Sequence, residues 1–242
     1  MSQHRNYGER EPFRLSRPPA NQPLICVGIP SDDSVKANFA MAMAAMTHYC
    51  GWAQIKLAIC NQKGSVLPKN RNLLVESALE MGCTHLLQID SDLTFPPATL
   101  HRLLMHNQPI VGCTYARRSR PHDNLAVPLN KAPVHNVKGL AAVDRLPTGL
   151  LLVSMDVFPK IKQPWFRFPT IEATEELPAG RIDGEDYYFC DAAREAGYTV
   201  YLDVELSFEV THWGEAGWKI KEDNGDHLAP RFEMVELQSA VK

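Results

Sequence analysis

Asp90 and Asp92 stand one residue apart around Ser91, closing the apolar run Leu86-Leu87-Gln88-Ile89 and preceding Leu93-Thr94-Phe95-Pro96-Pro97. Two carboxylates at the end of a buried strand are costly unless a cation meets them. Oxygen ligands of this kind suit Mg²⁺ or Mn²⁺, which usually keep waters and bind substrate phosphates. A second acidic group, Asp183-Gly184-Glu185-Asp186, precedes Tyr187, Tyr188 and Phe189 at the mouth of a helical pattern. A general base for an acceptor hydroxyl would look like this, an ionised carboxylate at a site ringed by aromatics. The third element is His212, within Val210-Thr211-His212-Trp213-Gly214; neutral imidazole is a competent Mn²⁺ ligand. Each element alone has an ordinary explanation as a solvated loop carboxylate, a helix cap worth about 0.3–1 kcal/mol per charge, or a satisfied structural histidine. Their combination and order favour chemistry.

These residues need elements to position them. Apolar runs predict strands over 24–29, 55–60, 85–89, 109–115 and 150–153, with later ones over 199–202 and 206–210. Helices are expected over 35–49 with Ser34 as N-cap, over 70–81 closed by Gly82, over 97–106, and over 186–196 closed by Gly197. Residues 116–147 read as a mostly loop-like insertion broken by Pro121, Pro128, Pro133 and Pro147, and the polar chain beyond Lys219 as loosely packed. Strand and helix alternate through the first half, which predicts right-handed βαβ units and a mainly parallel sheet. Ligands of such sheets sit at the C-terminal ends of strands, here Pro30, Asn61 and Asp90 to Asp92.

In this order the motifs resemble the GT-A superfamily of nucleotide-sugar-dependent glycosyltransferases, particularly small family-2-like members. The resemblance spans roughly residues 24–217 and rests on the D-x-D, the Pro147-Thr148-Gly149-Leu150-Leu151-Leu152-Val153 strand, the Gly184-Glu185-Asp186 helix start and the late His212. It implies an α/β fold, a single Rossmann-like GT-A domain with a mixed, mainly parallel sheet and helices on both faces. It implies a nucleoside-diphosphate sugar as donor, a UDP-sugar in the first instance, with Mn²⁺ or Mg²⁺ as cofactor. Asp92 and His212 would then hold the metal, with Asp90 reaching the ribose or the metal's water shell beside Ser91. Arg71 matches the arginine that approaches the nucleotide, and Pro30 and Asn61 fall where the base is bound, Asn61 standing where an acid is more usual. Thr148 and Gly149 would line the donor sugar. Asp186 would be the base of an inverting transfer, with Glu185 an acceptor-orienting neighbour.

The formal net charge of −3, from 25 basic and 28 acidic residues, with 45% hydrophobic residues, fits one soluble globular domain and excludes a disordered chain or a fibrous rod. The charge is unevenly spread: residues 102–138 carry six basic residues against one acid, residues 172–215 twelve acids against two arginines. Residues 1–22 read as a mobile, basic, Pro-rich arm, residues 23–218 as the glycosyltransferase domain, and 219–242 as a polar tail. No apolar run approaches the roughly 18 residues of a membrane span. Six scattered cysteines without a C-x-x-C pair suggest reduced thiols and a cytoplasmic setting. The acceptor side is expected near Tyr115, Arg117, Arg118 and Trp213. Small enzymes of this type occur in phage and bacterial settings, so a hydroxymethylated base in DNA, or another anionic acceptor, is among the candidates. A nucleotidyltransferase is the rival enzyme reading, although the loop Pro30-Ser31-Asp32-Asp33 lacks the usual glycine-rich, basic character. A sugar- or nucleotide-binding module without catalysis is the rival from another class.

Overall fold

The computed structural model describes residues 23–117, 125–128, 139–173, 180–214, 217–221 and 231–235. The first half runs β1 (Leu24–Ser31), α1 (Ala37–Trp52), β2 (Lys56–Lys63), α2 (Leu67–Glu80), β3 (His85–Ile89), β4 (Leu93–Thr94), α3 (Thr99–Met105) and β5 (Ile110–Gly112). The second half runs β6 (Val127–Pro128), β7 (Leu140–Arg145), β8 (Leu150–Ser154), β9 (Thr170–Ile171), β10 (Arg181–Ile182), α4 (Glu185–Glu195), β11 (Val200–Asp203), α5 (Val204–Glu209), β12 (Thr211–Trp213), β13 (Gly217–Lys221) and β14 (Arg231–Val235).

Eight strands form the central sheet in the order β2-β1-β3-β8-β5-β11-β7-β6. β1 is parallel to β2 and β3, and β11 to β5. β8 is antiparallel to both β3 and β5, and β7 to both β11 and β6, so six of the eight strands run one way. This is the mixed, mainly parallel α/β sheet expected. Side chains alternate between two cores. Cys26, Leu86, Leu151 and Val153 meet Val75 and Ala78 of α2 and Phe189, Cys190 and Ala193 of α4 on one face. Ile25, Val27, Leu87, Ile89, Leu150 and Leu152 meet Phe39, Met43 and Met46 of α1, Leu100 and Leu103 of α3, and Leu206 of α5 on the other. Strands covered on both faces read as continuous apolar runs, which is why β1, β3 and β8 were visible in sequence.

Four expectations need correction. Ser34 does not cap α1: the helix starts at Ala37 after Lys36, with no side-chain cap bond. Residues 206–210 are not a strand. The Asp203 carboxylate accepts from the Leu206 backbone N–H at 2.9 Å and caps α5, an N-cap that outweighs the short apolar pattern. The 116–147 segment is not all loop, because Leu140-Ala141-Ala142-Val143 pairs with β11 and turns Ala141 and Val143 inward. Beyond Lys219 the backbone pairs as β13 and β14, extending a small sheet ordered β14-β13-β12-β4. That small sheet positions the site, since β4 directly follows Asp92 and pairs antiparallel with β12, setting Leu93 opposite His212. The arm of residues 1–22 lies outside the described residues.

Candidate functional site

The ends of β1 and β3, the first turns of α2 and α4, the Pro147-Thr148 loop and His212 enclose a cavity of about 470 Å³. Asp92 and His212 arrive from β4's edge and β12, and the Trp213 N–H donates to Asp92 O at 2.8 Å, locking the two segments. His212 is buried, and its Nδ1 lies 2.8 Å from the Ala116 carbonyl, so Nδ1 carries the proton that donates there. Nε2 then presents its lone pair toward Asp92 Oδ1, 3.6 Å away. Two acceptors held at this separation, with the far nitrogen anchored to a carbonyl, match the way metal-bound histidines are oriented. The donor set fits a divalent ion that takes one imidazole, one carboxylate and otherwise waters or phosphate oxygens. Among the described residues no three His, Cys, Asp or Glu side chains gather into a closed cage, so any further ligands would come from solvent or substrate.

Arg71 is the hub of the floor. It projects from α2 and is 2% exposed. Its Nη2 donates to Asp90 Oδ1 at 2.9 Å, Nη1 to Gln88 Oε1 at 2.8 Å, and Nε to Glu185 Oε1 at 3.1 Å. Burial would lower its pKa, but Asp90 and Glu185 outweigh that and hold the guanidinium charged. The arginine thus ties the D-x-D loop to the first turn of α4. Its role in the structure is that of a clamp, with Glu185 and Asp90 both committed to it.

Asp186 follows Glu185 on α4 and also faces the cavity. Burial, and next the negative charge of Glu185, push its carboxyl up to about 6, against the opposing pull of the Tyr187 N–H and Arg71. That N–H donates to Asp186 Oδ1 at 2.8 Å. A Cβ on Gly184 would collide with Asp186 Oδ1, so glycine there reserves the carboxylate's place. A base with a pKa near 6 is ionised at neutral pH yet keeps useful basicity.

Tyr115, expected near an acceptor, lies deeper. It is 3% exposed, its ring packs edge-on to His212 with centroids 5.0 Å apart, and its hydroxyl reaches Asp90 Oδ2 at 3.5 Å. Burial, then the Asp90 charge, raise its pKa, so it stays a donor. The Gly149 N–H donates to the same hydroxyl at 3.1 Å, and Gly149 O accepts from the Asp90 N–H at 2.9 Å. A Cβ on Gly149 would overlap the Tyr115 hydroxyl and come within 2.5 Å of Asp90 Oδ2. Gly149→Ala is therefore expected to push both side chains out of register and weaken ligand binding about 10–100-fold, one to two factors of ten at about 1.4 kcal/mol each. Calorimetric titration checks this; unchanged affinity would show that the Asp90-Tyr115 pair does not shape the binding surface.

Pro30, Asp90, Ser91, Arg71, Thr148, Glu185 and Asp186 all line the cavity with Asp92 and His212. Thr148 is buried, and its hydroxyl makes no hydrogen bond among the described residues. Asn61 instead lines an adjoining cavity of about 540 Å³ beside α1, and its Nδ2 donates to Ile29 O and Ser31 Oγ. The two cavities share Ser31 and Asp32. Trp213 does not line the main cavity: its indole N–H donates to Thr94 Oγ1 at 3.0 Å, which anchors the small sheet. Arg117 is exposed, and Arg118 lies outside the described residues. Sequence reasoning missed Gln88 and Asn70. Gln88 had a signal, a polar residue inside an otherwise apolar strand; it is fully buried beneath Arg71. Asn70, buried on α2, donates to Gly64 O at 2.7 Å and holds the loop at the cavity rim.

No family model matches the chain, and no curated protein matches it. Among solved structures, A197 from STIV is similar over 86% of this chain and 94% of its own, with a TM-score of 0.53 and 17% identity. A glycosyltransferase involved in the glycosylation of the major capsid of PBCV-1 aligns over 61% of this chain and 71% of its own, with a TM-score of 0.35 and 14% identity, too slight a likeness to carry an argument. No helix among the described residues is long and apolar enough to cross a membrane. Geometry and comparison together establish a Rossmann-like α/β domain with the A197 fold and an acidic, histidine-bearing cavity at the C-terminal edge of its sheet.

Proposed function

We propose that the chain is a divalent-metal-dependent glycosyltransferase of GT-A type, moving a sugar from a nucleoside-diphosphate sugar, a UDP-sugar in the first instance, to an acceptor hydroxyl with inversion. The observation that carries this reading is the convergence of Asp92, His212, Asp90, Thr148 and Asp186 on one cavity from separate parts of the chain. Asp92 and His212 would hold Mn²⁺ or Mg²⁺, which when bound stabilises negative charge on a departing diphosphate. Thr148 offers its unengaged hydroxyl to the donor sugar. Pro30 flanks the nucleoside, whose base would extend toward Asn61 in the adjoining cavity. Arg71 keeps Asp90 and Glu185 in place. Asp186 takes the proton of the attacking hydroxyl, and a positioned base of this kind contributes about 10²–10⁴ in rate.

Mn²⁺-dependent release of nucleoside diphosphate from a panel of nucleotide sugars is the test. Turnover that is abolished by Asp92→Asn in a folded protein is expected; metal-independent turnover, or none with any donor, would overturn the proposal. The same assay reads the base. Because the Asp186 carboxyl sits near 6, the rate should fall about tenfold per pH unit below that value and level off above it. A profile flat down to pH 4 would remove Asp186 from the role.

A further inference from the structure

A third cavity, of about 560 Å³, runs along the opposite flank of α4 and is lined by Tyr188, Asp191, Ala192 and Glu195 of that helix, facing Lys160, Lys162 and Arg167. Its charges divide into two groups. The carboxylates are already answered: Asp191 is gripped by Arg145 at 2.8 and 2.6 Å with Arg194 at 3.9 Å, and Asp183 lies 3.5 Å from Arg145 and 3.3 Å from Arg181. The cations opposite are not. Lys160 and Lys162 are exposed and make no ion pair among the described residues, and Arg167 lies over the Tyr188 ring at 4.4 Å instead of meeting a carboxylate. Stacking on a ring fixes the guanidinium plane while leaving its N–H edge free for an anion. The Tyr188 hydroxyl also makes no hydrogen bond among the described residues and adds a neutral donor. Among the described residues that line the groove, Glu195 is the one carboxylate without a cationic partner.

We infer that this groove is an anion-binding subsite, and that Lys160, Lys162 and Arg167 hold a phosphate group of the acceptor. That the anion belongs to the acceptor rests on the proposal that Asp186 is the base. Asp186 and Ala192 are six residues apart on α4, about 9 Å along its axis, and leave the helix on different sides. An acceptor whose phosphate is anchored there must reach around α4, about 10–12 Å across with its side chains, to bring a hydroxyl to Asp186. The subsite is separate from the donor cavity, and no residue lines both.

The test is a titration of the full chain, free of donor and metal, with inorganic phosphate, a hexose phosphate and a short DNA oligonucleotide, followed by amide and side-chain NMR shifts. Shifts centred on Lys160, Lys162, Arg167 and Tyr188 are expected. Affinity should fall about tenfold per cation removed in Lys160→Ala, Lys162→Ala and Arg167→Ala, and should weaken with salt. All three positions are exposed, so these variants keep the fold; unchanged unfolding temperatures and unchanged donor hydrolysis confirm it. A response to the hexose phosphate alone identifies a small phosphorylated acceptor, and one to DNA alone a nucleic-acid backbone; either supports the subsite. Shifts confined to the donor cavity, or affinity untouched in the triple variant, would overturn it without bearing on donor chemistry. Loss of donor hydrolysis with phosphate binding intact would instead count against the function proposed above.

Discussion

Asp186→Asn is expected to lower transfer about 10²–10⁴-fold while making the protein more stable at neutral pH. The two effects share one cause. Burial and the neighbouring Glu185 charge raise the carboxyl to about 6, well above its value in an unfolded chain. A raised acid favours the fold while protonated, so its contribution is fully present below about pH 4 and is lost as pH rises through 6. At pH 7 and above, ionised Asp186 therefore costs stability, on the order of 1–2 kcal/mol after solvent screening of this partly exposed group. Asparagine removes the charge and can still accept the Tyr187 N–H. Thermal unfolding should rise by a few degrees at pH 8 and be nearly unchanged at pH 4, about 2–4 °C per kcal/mol for a chain of this size. A variant both inactive and less stable at pH 8 would mean that Asp186 is a structural cap.

The largest loss of stability is expected from Arg71→Met. The guanidinium is buried and makes bonds to Asp90, Gln88 and Glu185. Methionine fills similar volume but leaves two carboxylates facing each other without a cation, and breaking a buried pair in this way costs about 3–5 kcal/mol. Against a total stability of about 5–15 kcal/mol that is a large share. Arg71→Lys keeps the charge without the planar fork and should fall between the two. Circular-dichroism melts decide; a small change would show that the clamp is not what holds α4 to the D-x-D loop.

Local features were the legible ones. β1, β3 and β8 announce themselves as apolar runs, and Gly82 and Gly197 end α2 and α4 with φ of +66° and +89°, where the missing Cβ matters. The acidic motifs were visible because they stand at element ends. What sequence did not disclose depends on contacts distant along the chain. Nothing local in the sequence shows that Asp90 and Glu185, 19 and 114 residues away, engage the donors of Arg71. The β4–β12 pairing that brings His212 beside Asp92 spans two strands too short for any periodicity to reveal. α5 was misread because six residues carry too little pattern to outweigh a β-like run, and its determining feature is the single cap at Asp203. Trp213 is expected on the acceptor side, yet its indole N–H donates to Thr94 Oγ1, a contact with no local sign in the sequence.

In the proposed function Asp92 and His212 bind a divalent ion shared with a nucleoside diphosphate. The direct measurement is thermal unfolding with UDP, with Mn²⁺, and with both, for the unsubstituted chain and for Asp92→Asn. A ligand binding only the folded state at 100 times its dissociation constant adds about 2.7 kcal/mol. A marked rise is expected only when UDP and Mn²⁺ are present together, and it should be lost in Asp92→Asn. An equal rise with UDP alone, or a rise that survives the substitution, would contradict it.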